Sequence, residues 1–185
     1  DVECLIVNPG TKKVLSADYF EKFISLKAVG TPSTGIGHID KDYLDKRDVK
    51  LKCLLDDRET LENIHASAEF TWIHIMNAYR KFTLAINNKE DWRKVSNEDF
   101  LRAKELYGKK IGIVGMGRIG KKLANYAEAF GMSVAWYDPY VEMEKYNKVN
   151  NLNDLKDCDI LSINCYLTDE TKELITYGTL DDFKT

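Results

Sequence analysis

The chain of 185 residues lacks the features that mark membrane-spanning or nucleic-acid-binding proteins. No apolar run approaches the roughly 18 residues that a membrane span needs. Lysine and arginine total 27 against 30 acidic residues, so a net charge of −3 favours neither a nucleic acid nor a membrane surface as partner. No cysteine pair has Cys-x-x-Cys spacing, so no metal site is expected, and reduced, buried strand thiols favour a cytoplasmic location. The four cysteines are Cys4, Cys53, Cys158 and Cys165.

The composition that is present, 44% apolar and 31% charged, is that of a globular protein. In the first third, short apolar runs alternate with helical patterns, and a Pro9-Gly10 turn follows the first run. This β-α-β-α-β order predicts parallel strands covered by helices. The predicted strands are 3–8, 26–29 and 50–55, and the predicted helices are 16–24, capped by Ser16, and 38–46.

Residues 59–81 are predicted to form one long helix that is apolar nearly all round between residues 66 and 79. Such a helix is typically buried between domains or between subunits, so a homodimer is expected. His65 and His74 on this helix are interpreted as core or interface residues. The polar stretch 87–98 that follows is interpreted as a surface crossing.

The second half repeats a strand and a helix about every 25 residues, which is the length of a βα unit. Gly131 is predicted to end the main helix as a C-terminal cap. The predicted strands are 110–114, 132–137 and 160–164; the helices are 118–130, a short one at 152–155 and a last element near Thr179.

Between the strand 110–114 and the helix 118–130 lies the sequence GMGRIG, a Gly-x-Gly-x-x-Gly motif. In this context it predicts a dinucleotide-binding turn. Gly115 allows the tight turn, Gly117 lets the backbone approach a pyrophosphate, and Gly120 lets the helix pack close to the strand. A glycine turn that serves packing alone is the alternative.

The remaining groups of the motif complete a cofactor site. The N–H groups around Arg118 and Ile119 are expected to face the phosphates at the helix N-terminus. Asp138, which ends the next strand, is expected to accept hydrogen bonds from the adenosine ribose. Its charge would repel a 2′-phosphate, so NAD is favoured over NADP.

Residues 108–140 resemble the cofactor segment of the D-isomer-specific 2-hydroxyacid dehydrogenases. Three more segments resemble that family in the same order: its substrate loop, its interdomain helix and its adenine-side loop. These are STGIGHID at 33–40, residues 56–76, and NCYLTDETKELI at 164–175.

The resemblance implies an α/β fold with two Rossmann/flavodoxin-like lobes, each built on a parallel sheet. Residues 1–57 would form a partial substrate domain and residues 58–185 a C-terminally incomplete NAD-binding Rossmann domain. It also implies NAD as cofactor, a 2-hydroxy or 2-keto acid as substrate, and a homodimer.

The resemblance also implies further site residues. Thr34 and Gly35 would offer backbone N–H groups to a substrate carboxylate, although a plain turn after a strand is the alternative. The adenine edge would be lined by Cys165, Tyr166, Leu167 and Thr168. From the residues alone, these four are the end of a buried strand.

No residue matches the family's catalytic arginine, glutamate and histidine, which are expected beyond Thr185. We therefore expect a sequence that is incomplete at both ends. The function predicted is NAD-dependent hydride transfer to or from a 2-hydroxy or 2-keto acid; the alternative is an NAD-binding sensor or scaffold without catalysis. A Rossmann enzyme using NADP or S-adenosylmethionine is disfavoured by Asp138 and by the loop 33–40.

Overall fold

The structure is a computed structural model that describes residues 1–8, 14–88, 98–181 and 183. The chain divides into two compact units, Asp1–Ile64 and His65–Thr185. The predicted division after residue 57 lies seven residues before the one in the structure, because the short helix Arg58–Glu62 belongs to the first unit.

The first unit is a parallel three-stranded sheet in the order β1-β2-β3, with helices between the strands. The predicted β-α-β-α-β order is confirmed. The strands are β1 (Cys4–Ile6), β2 (Ala28–Thr31) and β3 (Lys50–Cys53). The helices are α1 (Ala17–Phe20), α2 (Lys41–Lys46) and α3 (Arg58–Glu62), with a 3₁₀ turn at Leu54–Asp56.

This unit has its own hydrophobic core, in which Phe20, Val29 and Leu44 are fully buried. Helix α1 is shorter than predicted, because the chain turns after Phe20. Ser16 precedes the helix but its side chain makes no capping hydrogen bond. The predicted Pro9-Gly10 turn lies outside the described residues.

The second unit contains a parallel four-stranded sheet in the order β6-β5-β4-β7. The two sheets, parallel in every described pairing, confirm the predicted α/β class. The strands are β4 (Lys110–Val114), β5 (Ser133–Tyr137), β6 (Asn147–Lys148) and β7 (Ile160–Ile163). The helices are α4 (Ala66–Arg80), α5 (Phe82–Asn87), α6 (Glu98–Leu101), α7 (Arg118–Ala129) and α8 (Tyr177–Asp181), with a 3₁₀ turn at Leu152–Leu155. Most of the predicted surface crossing at 87–98 lies outside the described residues.

The predicted single helix 59–81 is wrong, since α3 ends at Glu62 and α4 begins at Ala66. The side chain of Asn63 donates from Nδ2 to the Glu59 carbonyl oxygen at 3.0 Å. Asparagine side chains that bond to nearby backbone compete in this way with continuation of a helix.

Within the single chain this helix is not buried on all sides, since Phe70 and Ile73 are 62% and 60% exposed, and its predicted burial between subunits stays a prediction. His65 and His74 are exposed as well, so they are not core residues of the single chain, and a place in a subunit interface stays a prediction. A single stripe at helical spacing packs against the core of the second unit: Trp72, Ile75, Met76 and Tyr79. Helix α4 is therefore amphipathic, with an apolar face left open.

Helix α7 ends as predicted at Gly131, whose φ of 72° lies in the left-handed region. The Gly131 N–H donates to Glu128 O at 2.9 Å, and the Met132 N–H donates to Ala127 O at 3.0 Å. These two bonds form a Schellman cap, which satisfies carbonyls at the helix end and directs the chain into β5.

The cysteines are free, but the prediction that all four are buried is wrong. Only Cys158 is buried, Cys4 is exposed, and Cys53 and Cys165 are intermediate. Burial raises the pKa of the Cys158 thiol above its ordinary value. In the described part of the chain, no helix is long and apolar enough to cross a membrane.

Candidate functional site

The candidate site lies at the carboxyl ends of the central strands of the second unit. Val114 pairs with Tyr137 on one side and with Ile163 on the other. The Gly115 N–H donates to Tyr137 O at 2.9 Å, and the Asn164 N–H donates to Val114 O at 2.7 Å. Strand order reverses about β4, so this edge is the topological switch point where open α/β sheets bind ligands.

Two glycines of the motif are required by close packing. Gly115 has a φ of 89°, and a Cβ there would lie 2.9 Å from the backbone of Asn164 and Cys165. A Cβ on Gly120 would lie 2.2 Å from Gly115 O and 3.2 Å from the Ile113 side chain. Gly120 therefore lets α7 contact the turn as well as β4, which fits its predicted packing role.

Gly117 differs, because a Cβ there would meet nothing within 4 Å. It lines an open cleft and occupies the N-cap position of α7, with Arg118 and Ile119 in the first helical turn. The first N–H groups of a helix lack intrahelical acceptors and carry the positive end of its dipole. An anionic group over Gly117 would meet those N–H groups without a side chain between.

Asp138 joins the glycine turn to the loop after β5. Its Oδ2 accepts from the Met116 N–H at 2.8 Å, and its Oδ1 accepts from the Tyr140 N–H at 2.9 Å. Each carboxylate oxygen has more than one lone pair, so each can accept a further hydrogen bond. The carboxylate is thus fixed at the cleft by two backbone donors.

The cleft has a volume of about 450 Å³, within the range of small-molecule sites. Six of the predicted residues line it: Gly115, Gly117, Asp138, Cys165, Tyr166 and Thr168. Arg118, Ile119, Gly120 and Leu167 do not line it; Gly120 is buried and Leu167 is 85% exposed.

Sequence reasoning missed several residues of this cleft, notably Tyr140 and Glu170. The Tyr140 hydroxyl donates to Glu170 Oε2 at 2.5 Å, and this bond raises the pKa of the Tyr140 phenol above its ordinary value. Tyr140 lies two residues after Asp138, and this short spacing could have indicated that Tyr140 also lines the cleft. Its hydrogen bond to Glu170, 30 positions further along the chain, could not be predicted from the apolar periodicity or from any motif in the sequence. Other missed lining residues include Pro139, Val141, Asn164, Thr171 and Leu174.

The loop after β7 is held by two threonines. The Thr168 N–H donates to Thr171 Oγ1 at 2.8 Å, and the Thr171 N–H donates to Thr168 Oγ1 at 3.2 Å. The Thr171 hydroxyl also donates to the Tyr166 carbonyl oxygen. These reciprocal bonds fix the backbone on one wall of the cleft.

The predicted carboxylate loop lies in the first unit, directly after β2. The Ser33 hydroxyl donates to Gly35 O at 2.8 Å and lies 2.9 Å from Thr31 Oγ1, which is 3.4 Å from His38 Nε2. A Cβ on Gly35 would meet nothing within 4 Å. Within the described residues, no hydrogen bond engages the N–H of Thr34 or of Gly35.

Comparison with known proteins identifies the family. Residues 72–185 match the NAD binding domain of the D-isomer specific 2-hydroxyacid dehydrogenases, and the chain belongs to this family. The family prediction and the prediction of NAD as its cofactor are confirmed.

Two curated relatives show the range of the family. The D-3-phosphoglycerate dehydrogenase of Bacillus subtilis (strain 168) is 33% identical over 187 residues, which cover 96% of this chain and 33% of the relative. The glyoxylate reductase of Aeropyrum pernix is 39% identical over 120 residues, which cover 60% of this chain and 36% of the relative. The chain thus spans about a third of the length of these relatives.

Solved structures show the same fold. The D-lactate dehydrogenase of Aquifex aeolicus, in complex with NAD and lactic acid, is 27% identical with a TM-score of 0.79. The alignment covers 98% of this chain and 54% of that one.

Proposed function

We propose that the protein is an NAD-dependent oxidoreductase that transfers a hydride between nicotinamide and a 2-hydroxy or 2-keto acid. The observation that carries this proposal is the glycine turn with a fixed Asp138 at the switch point of a family NAD-binding domain. The cofactor supplies the hydride chemistry, and the protein supplies binding and orientation. The sensor or scaffold alternative is not favoured, because the curated relatives are named dehydrogenases and reductases.

The pyrophosphate would bind over Gly117. The absence of a Cβ leaves room there, and the first N–H groups of α7, around Arg118 and Ile119, would donate to phosphate oxygens. Gly115 and Gly120 would not contact the pyrophosphate themselves. They let the turn and the helix come close enough to form this cradle.

The adenosine would occupy the cleft beside Asp138. Its carboxylate oxygens keep acceptor capacity for the ribose hydroxyls while two backbone N–H groups hold them in place. The wall after β7 would face the adenine through Cys165, Tyr166, Leu167 and Thr168; all of these but Leu167 line the cleft.

The first unit would act as the substrate domain. We assign the carboxylate of a 2-hydroxy or 2-keto acid to the N–H groups of Thr34 and Gly35, in a loop braced by Ser33. Oriented backbone N–H groups form concavities that bind anions. The proposed domains are the substrate domain, 1–57, and the NAD-binding domain, 58–185.

A titration of the full-length protein with NAD and NADH, followed by assays with 2-keto acids, tests the proposal. Gly117→Val fills the space over the cradle and should weaken binding more than about tenfold, or 1.4 kcal/mol. Asp138→Ala should weaken NAD and relax discrimination against NADP. Glu144→Ala, an exposed change that does not touch the cleft, should bind as the wild type does.

Unchanged NAD affinity in a folded Gly117→Val variant would contradict the proposed cradle. Tight NAD binding without oxidation or reduction of any 2-hydroxy or 2-keto acid would favour the sensor or scaffold function. Both outcomes are read against circular dichroism spectra, which show whether each variant is folded.

A homodimer is part of the proposal. Helices α4 and α5 expose apolar side chains at helical spacing, Phe70 and Ile73 on one and Phe82 and Ile86 on the other. We propose that a second copy of the chain covers these side chains. Two-fold dimers are the commonest soluble oligomers, and in them the same apolar patch of each subunit is buried against the other. Sedimentation should show a dimer that Ile73→Glu dissociates and the control Ile24→Glu leaves intact; a monomeric wild type would contradict it.

We also propose a cytoplasmic location. The support is chemical, because the four cysteines are free and reducing compartments keep thiols in that state. Fractionation of cells that express the tagged full-length protein tests this.

A further inference from the structure

The cleft holds a second carboxylate besides Asp138, and a tyrosine connects the two. The backbone N–H of Tyr140 donates to Asp138 Oδ1 at 2.9 Å, while its hydroxyl donates to Glu170 Oε2 at 2.5 Å. Asp138 follows β5 and Glu170 belongs to the loop after β7, so Tyr140 bridges two walls of one cleft.

We propose that Glu170, anchored by Tyr140, is a second determinant of selectivity against dinucleotides that carry a ribose 2′-phosphate. The inference rests on the proposed function, because it assumes that the adenosine occupies this cleft. Glu170 acts as the specificity-determining residue, and Tyr140 acts as the positioning residue that holds its carboxylate toward the cleft.

The charges of the cleft favour this role. Among the described residues that line it, Asp138 and Glu170 are acidic and none is lysine, arginine or histidine. A 2′-phosphate carries close to two negative charges at neutral pH, and it would enter a cleft with two carboxylates and no lining cation. A ribose with free hydroxyls carries no charge at this position, so it is not repelled by Glu170, and Asp138 can accept its hydrogen bonds.

The anchoring by Tyr140 explains why an exposed glutamate would have a defined effect. A free glutamate side chain adopts many rotamers, and its charge would be spread over the solvent around the cleft. The loop that carries it is fixed by the Thr168–Thr171 bonds, and the Tyr140 hydroxyl then fixes the carboxylate. The negative charge is therefore held at one place on the wall of the cleft.

Isothermal titration of the full-length protein with NADH and with NADPH tests the proposal. Glu170→Gln keeps the shape and removes the charge, so NADPH affinity should rise about three- to tenfold while NADH affinity changes less than about twofold. Asp169→Asn removes the same charge from the neighbouring residue, which does not line the cleft, and serves as the matched control. Tyr140→Phe removes only the anchoring hydroxyl and should raise NADPH affinity by less than Glu170→Gln does.

The salt dependence separates a charge effect from a change of shape. Raising the ionic strength from about 0.1 M to about 1 M shortens the Debye length from about 10 Å to about 3 Å, so the difference between wild type and Glu170→Gln should shrink. Glu170→Asp, which keeps the charge, should retain the wild-type preference in part.

Two outcomes would overturn the inference in distinguishable ways. If wild type binds NADH and Glu170→Gln changes the NADH to NADPH ratio no more than Asp169→Asn, the selectivity role of Glu170 is wrong and the proposed function stands. If the folded wild type binds neither dinucleotide, the proposed function fails, and the inference fails with it.

Discussion

At the scale of single residues, two glycines of one motif serve different physical purposes. Gly115→Ala should destabilise the second unit by about 1–3 kcal/mol, because φ is 89° and the new Cβ would approach backbone at 2.9 Å. Gly117→Ala should cost less than about 1 kcal/mol, because its Cβ would enter open space and only the N-cap preference changes. Urea unfolding followed by tryptophan fluorescence measures both.

The comparison carries its own control, since both variants add one methyl group to the same turn. Equal losses of stability would show that the turn adjusts to a Cβ equally well at the two positions. A larger loss for Gly117→Ala would contradict the packing described for the turn.

The residues of the site were predictable where the backbone conformation permits only certain residue types. A glycine is needed where φ is positive or space is missing, and an acidic residue at the end of the next strand has a fixed place in a βαβ unit. The Tyr140–Glu170 bond was not predictable, because it joins two loops whose side chains meet only after the sheet is assembled. The exposure of Cys4 was missed for a similar reason: it lies in an outer strand of its sheet.

At the scale of elements, the central strands and helix α7 agree with prediction, and the region of α3 and α4 does not. Strand β4 is buried along almost its whole length and flanked by glycines, so its pattern is unambiguous. Helix α4 has apolar residues on two faces, of which only one packs against the core of its unit. The apolar periodicity of the sequence does not show which of two apolar faces is buried, so the amphipathic character of α4 was not predicted. The interruption at Asn63 is accompanied by a bond from its side chain to the Glu59 carbonyl, which the apolar periodicity does not reveal.

The N-cap of helix α3 is the carboxylate of Asp57, whose capping hydrogen bonds depend on its protonation state. Asp57 accepts from the Thr60 hydroxyl at 2.6 Å and from the Thr60 N–H at 3.0 Å, and these bonds hold the pKa of its carboxyl below the ordinary value. A lowered folded-state pKa means that the cap stabilises the folded state above the ordinary aspartate pKa and is lost as pH falls through the lower folded value. Asp57→Ala should therefore lower the melting temperature at pH 7, and the difference from wild type should narrow below about pH 4.

Asp169→Ala removes a similar charge from an exposed loop and should not reproduce this pH dependence. Melting curves by circular dichroism at pH 7, 5 and 3 measure both variants. A difference between Asp57→Ala and wild type that stays constant over this range would contradict the capping role.

At the scale of the whole molecule, the chain has two compact units with separate hydrophobic cores, which predicts two unfolding transitions. All three tryptophans come after residue 65 in the sequence, so tryptophan fluorescence reports the second unit alone, whereas far-ultraviolet circular dichroism reports both. Because the proposed NAD site lies within the second unit, NAD at 100 times its dissociation constant should stabilise the fluorescence-detected transition by about 2.7 kcal/mol. The transition that circular dichroism alone detects should not move. Coincident transitions by both probes, shifting together when NAD is added, would instead show that the units unfold as one cooperative structure.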